Sequence, residues 1–345
     1  MGQASWRVGQ WPWLPAVPAG SRRRVIIDND FAGDPDDLFQ LVHHLLSPSV
    51  DVRGIVCSHL PPGDGPDTAE DAYAAVGDLA AVMRLDVDGY LHVGASEGLA
   101  SRAEPRVSDA ARFIVAEAMR DEPGLGPLFY AAGGGLTDLA SAYLIEPAIA
   151  ERMTLVWIGG PEHDGLGYPP PQVSDPEYNL GIDITAAQVI FNDSAMPLWL
   201  VPRSTYRQCL VSDAELRRRV SGKGELGAQL YRAIHAVVES PQLSGLPSCE
   251  TYVLGDSPLV LLTALQSFFE PDPSSSEYAL RLCPRLRADG QFSGFLGREI
   301  RVYHRLDLRL MFEDFFAKLD EFTDWLSVTR RDGVALTESG AQQDG

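Results

Sequence analysis

Five aspartates, Asp28, Asp30, Asp34, Asp36 and Asp37, fall within ten residues immediately after the apolar run Val25-Ile26-Ile27. Carboxylates packed this densely repel one another unless a cation sits among them. A donor set made only of oxygen suits a hard ion, Ca²⁺ or Mg²⁺, rather than zinc. The plainer alternative is a solvated loop in which Asp34 or Asp36 caps the next helix; five carboxylates beside a buried strand favour the metal. Further along lie other groups able to do chemistry. Thr137 follows the turn Gly133-Gly134-Gly135, where a bare backbone carbonyl could approach an ion or a helix could start. Glu177 and Asn179 alternate as on an extended segment, which puts a carboxylate and an amide on one side, a pairing suited to sugar hydroxyls or to an ordinary polar loop. Asp256 stands just before an apolar helix and reads as a ligand or an N-cap. Tyr231 and His235 share a helix face at i and i+4, and His59 follows the second strand.

These residues need a scaffold, and the pattern supplies one. Short apolar runs at 25–27, 52–57, 91–93, 128–131, 155–158 and 198–201 read as strands. Helical patterns fall between them at 36–46, 69–83, 111–119, 136–144 and 185–191. Such alternation predicts an α/β fold, a mainly parallel central sheet with helices on both faces. Trp157, inside one of these strands, reads as core. Beyond Pro202 the chain turns helical, at 213–220, 226–239 and 257–265; two late strands, 278–282 and 299–303, precede a last helix at 309–326. We read one domain over 22–328, with loose tails at 1–21 and 329–345 that are rich in Gly, Pro and polar residues.

The charge narrows the partners. A net charge of −20 repels nucleic-acid backbones and anionic membranes, so a small ligand and a metal ion are expected instead. No stretch is apolar enough to span a bilayer, and the short run at 11–19, broken by prolines and followed by Arg22, Arg23 and Arg24, does not read as a signal peptide. Four scattered cysteines, Cys57, Cys209, Cys249 and Cys283, form no metal or disulfide pattern, which fits reduced thiols and a cytoplasmic location.

The opening cluster resembles the Asp-x-Asp-Pro-Gly-x-Asp-Asp motif of the inosine–uridine type nucleoside hydrolases, with two more residues between the carboxylate pairs of Asp28-Asn29-Asp30 and Asp36-Asp37. Three later segments resemble the same family in the same order: Gly133 to Ala140; Pro176 to Asn179 with Asp183 to Phe191; and Gly255-Asp256-Ser257-Pro258, where a His-Asp-Pro motif usually lies. The resemblance, that of a divergent member, implies hydrolysis of the N-glycosidic bond of a ribonucleoside by a calcium-activated water, with inversion at the anomeric carbon. It implies calcium ligands at Asp30, Asp37, Asp256 and the Thr137 carbonyl, Asp30 also being the base that takes the water proton. It implies ribose contacts from Asp36, Glu177 and Asn179, support from Asp28, a role in nucleoside salvage, and a possible homo-oligomer. Help for the departing base is where the chain departs from the pattern: Gly255 replaces the usual histidine, which leaves His59, Tyr231 and His235 as candidates.

Other classes fit less well. A phosphatase built on Asp-x-Asp needs a lysine beside its phosphoaspartate, and the only lysines, Lys223 and Lys318, follow no core strand. A nucleotide-sugar transferase lacks a diphosphate cradle. The runner-up is a non-catalytic, calcium-dependent ribose- or nucleoside-binding protein, motivated by Gly255.

Overall fold

The computed structural model describes residues 5–17, 20–171, 176–240, 249–267 and 274–340. Eight strands form one sheet: β1 Arg23–Asn29, β2 Val50–Cys57, β3 Leu91–Val93, β4 Leu128–Ala132, β5 Met153–Ile158, β6 Leu198–Val201, β7 Glu277–Leu286 and β8 Phe292–Arg305. Their spatial order is β7-β8-β6-β5-β4-β1-β2-β3, and only β7 runs antiparallel. The two-residue period of β1 divides the core: Val25 and Ile27 join one apolar cluster, Ile26 the other. Burial on both faces explains why these strands read as unbroken apolar runs.

Besides one turn at Asp213–Glu215 that continues into a wider turn at Leu216–Val220, the described α-helices are α1 Asp36–Leu45, α2 Thr68–Met83, α3 Asp109–Ala118, α4 Thr137–Ile145, α5 Tyr178–Ile182, α6 Ile184–Gln188, α7 Arg203–Tyr206, α8 Gly224–Val238, α9 Pro258–Thr263 and α10 Leu308–Gly340. Helices α1, α2, α8, α9 and α10 contribute to the first cluster; α3, α4 and α6 cover the opposite face. No described helix is long and apolar enough to cross a membrane.

Topology decides where a ligand can sit. After β1 the chain lays β2 and β3 to one side, then returns to place β4 on the other flank of β1. The connections leaving β1 and β4 therefore diverge, and a crevice opens beyond their carboxyl ends.

The sequence expectations need three corrections. Residues 5–17 are not a loose tail: Trp6 Nε1 donates to the Met83 carbonyl at 2.7 Å, Trp11 Nε1 to Leu45 at 3.0 Å, and Trp13 meets Phe322 edge-on at 5.0 Å. Three tryptophans bury enough surface to anchor a Pro-rich segment that its composition alone would leave free. The late hairpin is longer than expected, because β7 and β8 pair through register shifts around Pro284 that hide the alternation. The last helix does not stop near Leu326; its backbone stays helical to Gly340, into the segment read as a tail.

Candidate active site

Asp30 leaves the end of β1, and the Gly33 amide donates to its carbonyl at 2.7 Å. That turn, anchored by buried Phe31, absorbs the two extra residues between the carboxylate pairs. It delivers Asp36 and Asp37 to the first turn of α1, where the helix dipole favours negative charge. Asp256 arrives from 220 residues further on, its amide donating to Asp36 Oδ2 at 3.0 Å. Asp36, Asp37 and Asp256 offer carboxylate oxygens that all lie within 4.8 Å of one another, and all three side chains are buried. Asp30 flanks this group and lines the same cavity, a cleft of about 430 Å³.

Among the described residues no cation forms an ion pair with Asp30, Asp36, Asp37 or Asp256. Burial, then mutual repulsion, lifts Asp30, Asp36 and Asp37 well above the ordinary carboxylate range. Asp256 is lifted by burial to about 6, with hydrogen bonds from Asp37 and Asn29 holding it lower than its neighbours. Among the described residues no donor reaches the buried Asp37 Oδ2 or Asn29 Oδ1. Orphaned buried oxygens cost of the order of 1–3 kcal/mol each unless something binds them. The residues fit a hard divalent cation: an all-oxygen donor set, several carboxylates, and unpaired acceptors pointing to the missing charge.

The glycine turn after β4 makes room for the cluster. A Cβ at Gly133 would lie 2.1 Å from both Asp256 Oδ2 and Asn29 Oδ1, and one at Gly134 would lie 2.8 Å from Asp30 Oδ1. Trp157 on β5 donates from Nε1 to the Gly134 carbonyl at 3.0 Å, so this core residue also braces the turn.

Several expected residues fall elsewhere. Thr137 does not line the cavity. It opens α4, where its carbonyl is committed to the helix ladder, and its hydroxyl donates to Asp183 at 2.8 Å. Gly133 is the residue of that turn which borders the cavity. His59 is buried with both nitrogens engaged, Nδ1 on the Leu60 carbonyl at 2.8 Å and Nε2 on Thr137 Oγ1 at 2.9 Å. Tyr231 and His235 do share a face, but both turn to Asp213 Oδ1 at 3.1 Å, away from the carboxylates. Asp28 lies beneath the site, accepting from Ser58 and, at 2.5 Å, from Tyr130; burial lifts it to about 8. Glu177 and Asn179 do border the cavity, though not on an extended segment. Glu177 caps α5, accepting from the Gly160 amide at 2.7 Å and the Leu180 amide at 3.0 Å, while Asn179 donates to the carbonyls of Gly133 and Ile158.

Other residues escaped the sequence reading. Asn29 donates from Nδ2 to Asp256 Oδ2 at 2.7 Å, tying the first strand to the far carboxylate. Tyr206 donates to Glu177 Oε1 at 2.7 Å, and its ring stands 3.3 Å from where a side chain at Gly255 would begin. Tyr178, Arg207, Val237 and Val253 also line the cavity. Asn29 sat inside the quoted motif and could have been found there; Tyr206 carries no local signal.

A crevice at the switch point of a mainly parallel sheet, floored by buried carboxylates and edged by a capped glutamate and an asparagine, has the donor set to hold a divalent ion beside a small polar ligand. The family model for inosine-uridine preferring nucleoside hydrolase matches residues 25–269, and the chain belongs to this family. It is thus a hydrolase acting on the N-glycosidic bond of ribonucleosides. Similar solved structures include a plant nucleoside hydrolase (TM-score 0.64, 19% identity, 86% of this chain and 98% of that one), an inosine-guanosine nucleoside hydrolase (0.63, 14%, 88% and 99%) and a purine-preferring ribonucleoside hydrolase from Gardnerella vaginalis (0.61, 17%, 87% and 99%). At these identities the likeness is one of fold. No curated protein matches.

Proposed function

We propose that the chain is a calcium-dependent ribonucleoside hydrolase whose ion is held by Asp30, Asp37, Asp256 and the carbonyl of Gly133. The observation that carries this reading is the buried convergence of Asp36, Asp37 and Asp256, with an Asp37 oxygen that no donor reaches. Calcium suits the site better than magnesium because several carboxylates and a carbonyl can all contribute to its larger coordination shell. When bound, the ion supplies a water of lowered pKa and an anchor for the ribose diol.

The chain's own residues do the rest. Asp30 takes the water proton, and its cavity-lining position beside the cluster supports that role. Asp36 and Glu177 accept from ribose hydroxyls. Asn179 presents its amide oxygen to the sugar, its nitrogen being used on Gly133 and Ile158. The surrounding negative charge, preorganised by the fold, favours the cationic ribosyl group that develops as the bond breaks. Asn29 and Asp28 hold the ligands from below.

Calorimetric titration with Ca²⁺ and reducing-sugar assays on a nucleoside panel test this. One tight site, sugar release dependent on calcium, and a loss of about 10³-fold or more in Asp30→Asn are expected. Calcium-dependent ribose or nucleoside binding without sugar release would instead assign a binding protein. Wild-type turnover in Asp30→Asn would remove the base.

A further inference from the structure

Departure of an ordinary nucleobase leaves an anionic ring nitrogen that must receive a proton. All seven histidines of the chain can be located, and none lines the cavity. His43 meets Asp314 and His44 meets Thr263; His59 and His235 are engaged as described; His92 meets Asp109. His163 borders a different cavity, and His304 lies on β8. Both lysines are paired on α10, Lys223 with Asp320 and Lys318 with Asp314. Apart from the acidic residues and Asn179, the polar and larger side chains of the described lining are Tyr178, Tyr206, Arg207, Val237, Val253 and Ile158. Tyr206 has already directed its hydroxyl to Glu177.

The same cavity is strongly negative. Asp30, Asp34, Asp36, Asp37, Asp256 and Glu177 line it against the single cation Arg207, which is exposed. A divalent ion favours the charged form of the carboxylates that hold it, and the lining keeps its acidic excess over Arg207. Aromatic faces beside such a surface attract a cationic ring.

We infer, resting on the hydrolase reading above, that the preferred substrates are ribosides whose aglycone is a cationic heterocycle, of the N-ribosylpyridinium type. The chemistry then closes without an acid. The C1′–N bond breaks with its electron pair passing to the ring nitrogen, which cancels the aglycone's positive charge and releases it neutral. The water oxygen bonds to C1′, and its proton goes to Asp30.

The test compares kcat/KM for nicotinamide riboside, inosine and uridine with the full-length protein in calcium, Asp30→Asn serving as the blank for spontaneous hydrolysis. The pyridinium riboside is expected to exceed both neutral nucleosides by about 100-fold or more. Neutral nucleosides should gain rate as pH falls, because the substrate itself must bring the proton. Arg207→Gln should lower KM for the cationic riboside, since it removes the opposing charge; a higher KM would speak against the inference. Inosine or uridine cleaved as well as the pyridinium riboside would overturn it while leaving the hydrolase reading intact. So would a loss of more than about tenfold on inosine in His235→Ala, since a histidine would then be reaching the base. No sugar from any of the three would remove both readings.

Discussion

The acidic and the non-acidic parts of the cavity lining are built on opposite principles. The carboxylate wall is buried and cross-tied: Asn29 holds Asp256, the Asp256 amide holds Asp36, and Glu177 accepts from the amides of Gly160 and Leu180. Its parts come from strand ends and helix starts, the most rigid places the fold offers. The remaining lining draws on α5, α7, α8 and the short strand Thr251–Val253, and it is more open: Tyr178 is 54% exposed and no imidazole is present. In the reading proposed above, the acidic part would demand a particular ion and sugar. The rest can accept a ring without donating a proton to it, so the difference teaches where strictness and tolerance in substrate choice should lie.

The contrast breaks most completely in Asp37→Asn. It removes a charge from the buried cluster, and we expect calcium affinity to fall by more than about 100-fold, with hydrolysis lost alongside. Titration calorimetry on folded protein checks this; retained affinity would relocate the ion. Next in size is Gly133→Ala. Its methyl would overlap Asp256 Oδ2 and Asn29 Oδ1, so a destabilisation of about 1–3 kcal/mol and loss of calcium binding are expected. A variant that melts and binds like wild type would show that the turn has room to move.

A third prediction concerns pH. In chelated protein, Asp28 is held up to about 8 and Asp256 to about 6, both from ordinary values of 3.8. Between those limits the native state keeps protons that the unfolded chain has released. This stability is fully present below pH 3.8 and is lost as pH rises through 6 and then 8. Melting temperature in chelator should therefore drop from pH 5 to pH 8, and calcium should flatten the slope by favouring the ionised carboxylates. A metal-free protein whose melting rises over that range would contradict the buried, uncompensated cluster. The smallest effect belongs outside the cavity lining: Tyr231→Phe removes a hydroxyl that donates to Asp213, and kcat/KM should stay within about twofold.

The alternation of apolar runs with helical patterns determined the α/β sheet and nearly every element within it, because burial on both faces of a strand leaves a local signature. The aspartates announced a cation for a similarly local reason: charge density is written in neighbouring residues. The third dimension decided which of them meet. Asp256 reaches Asp36 and Asp37 only because β1 and β4 part at the switch point, and no spacing in the chain encodes that approach. It also decided that Gly133 rather than Thr137 borders the cavity, since Thr137 enters a helix. His59 and His235 had the right chemistry for the departing base, yet Thr137 and Asp213 claim them first. Side-chain partnership is settled by distance in the folded chain, and that distance is what a linear order of residues leaves free.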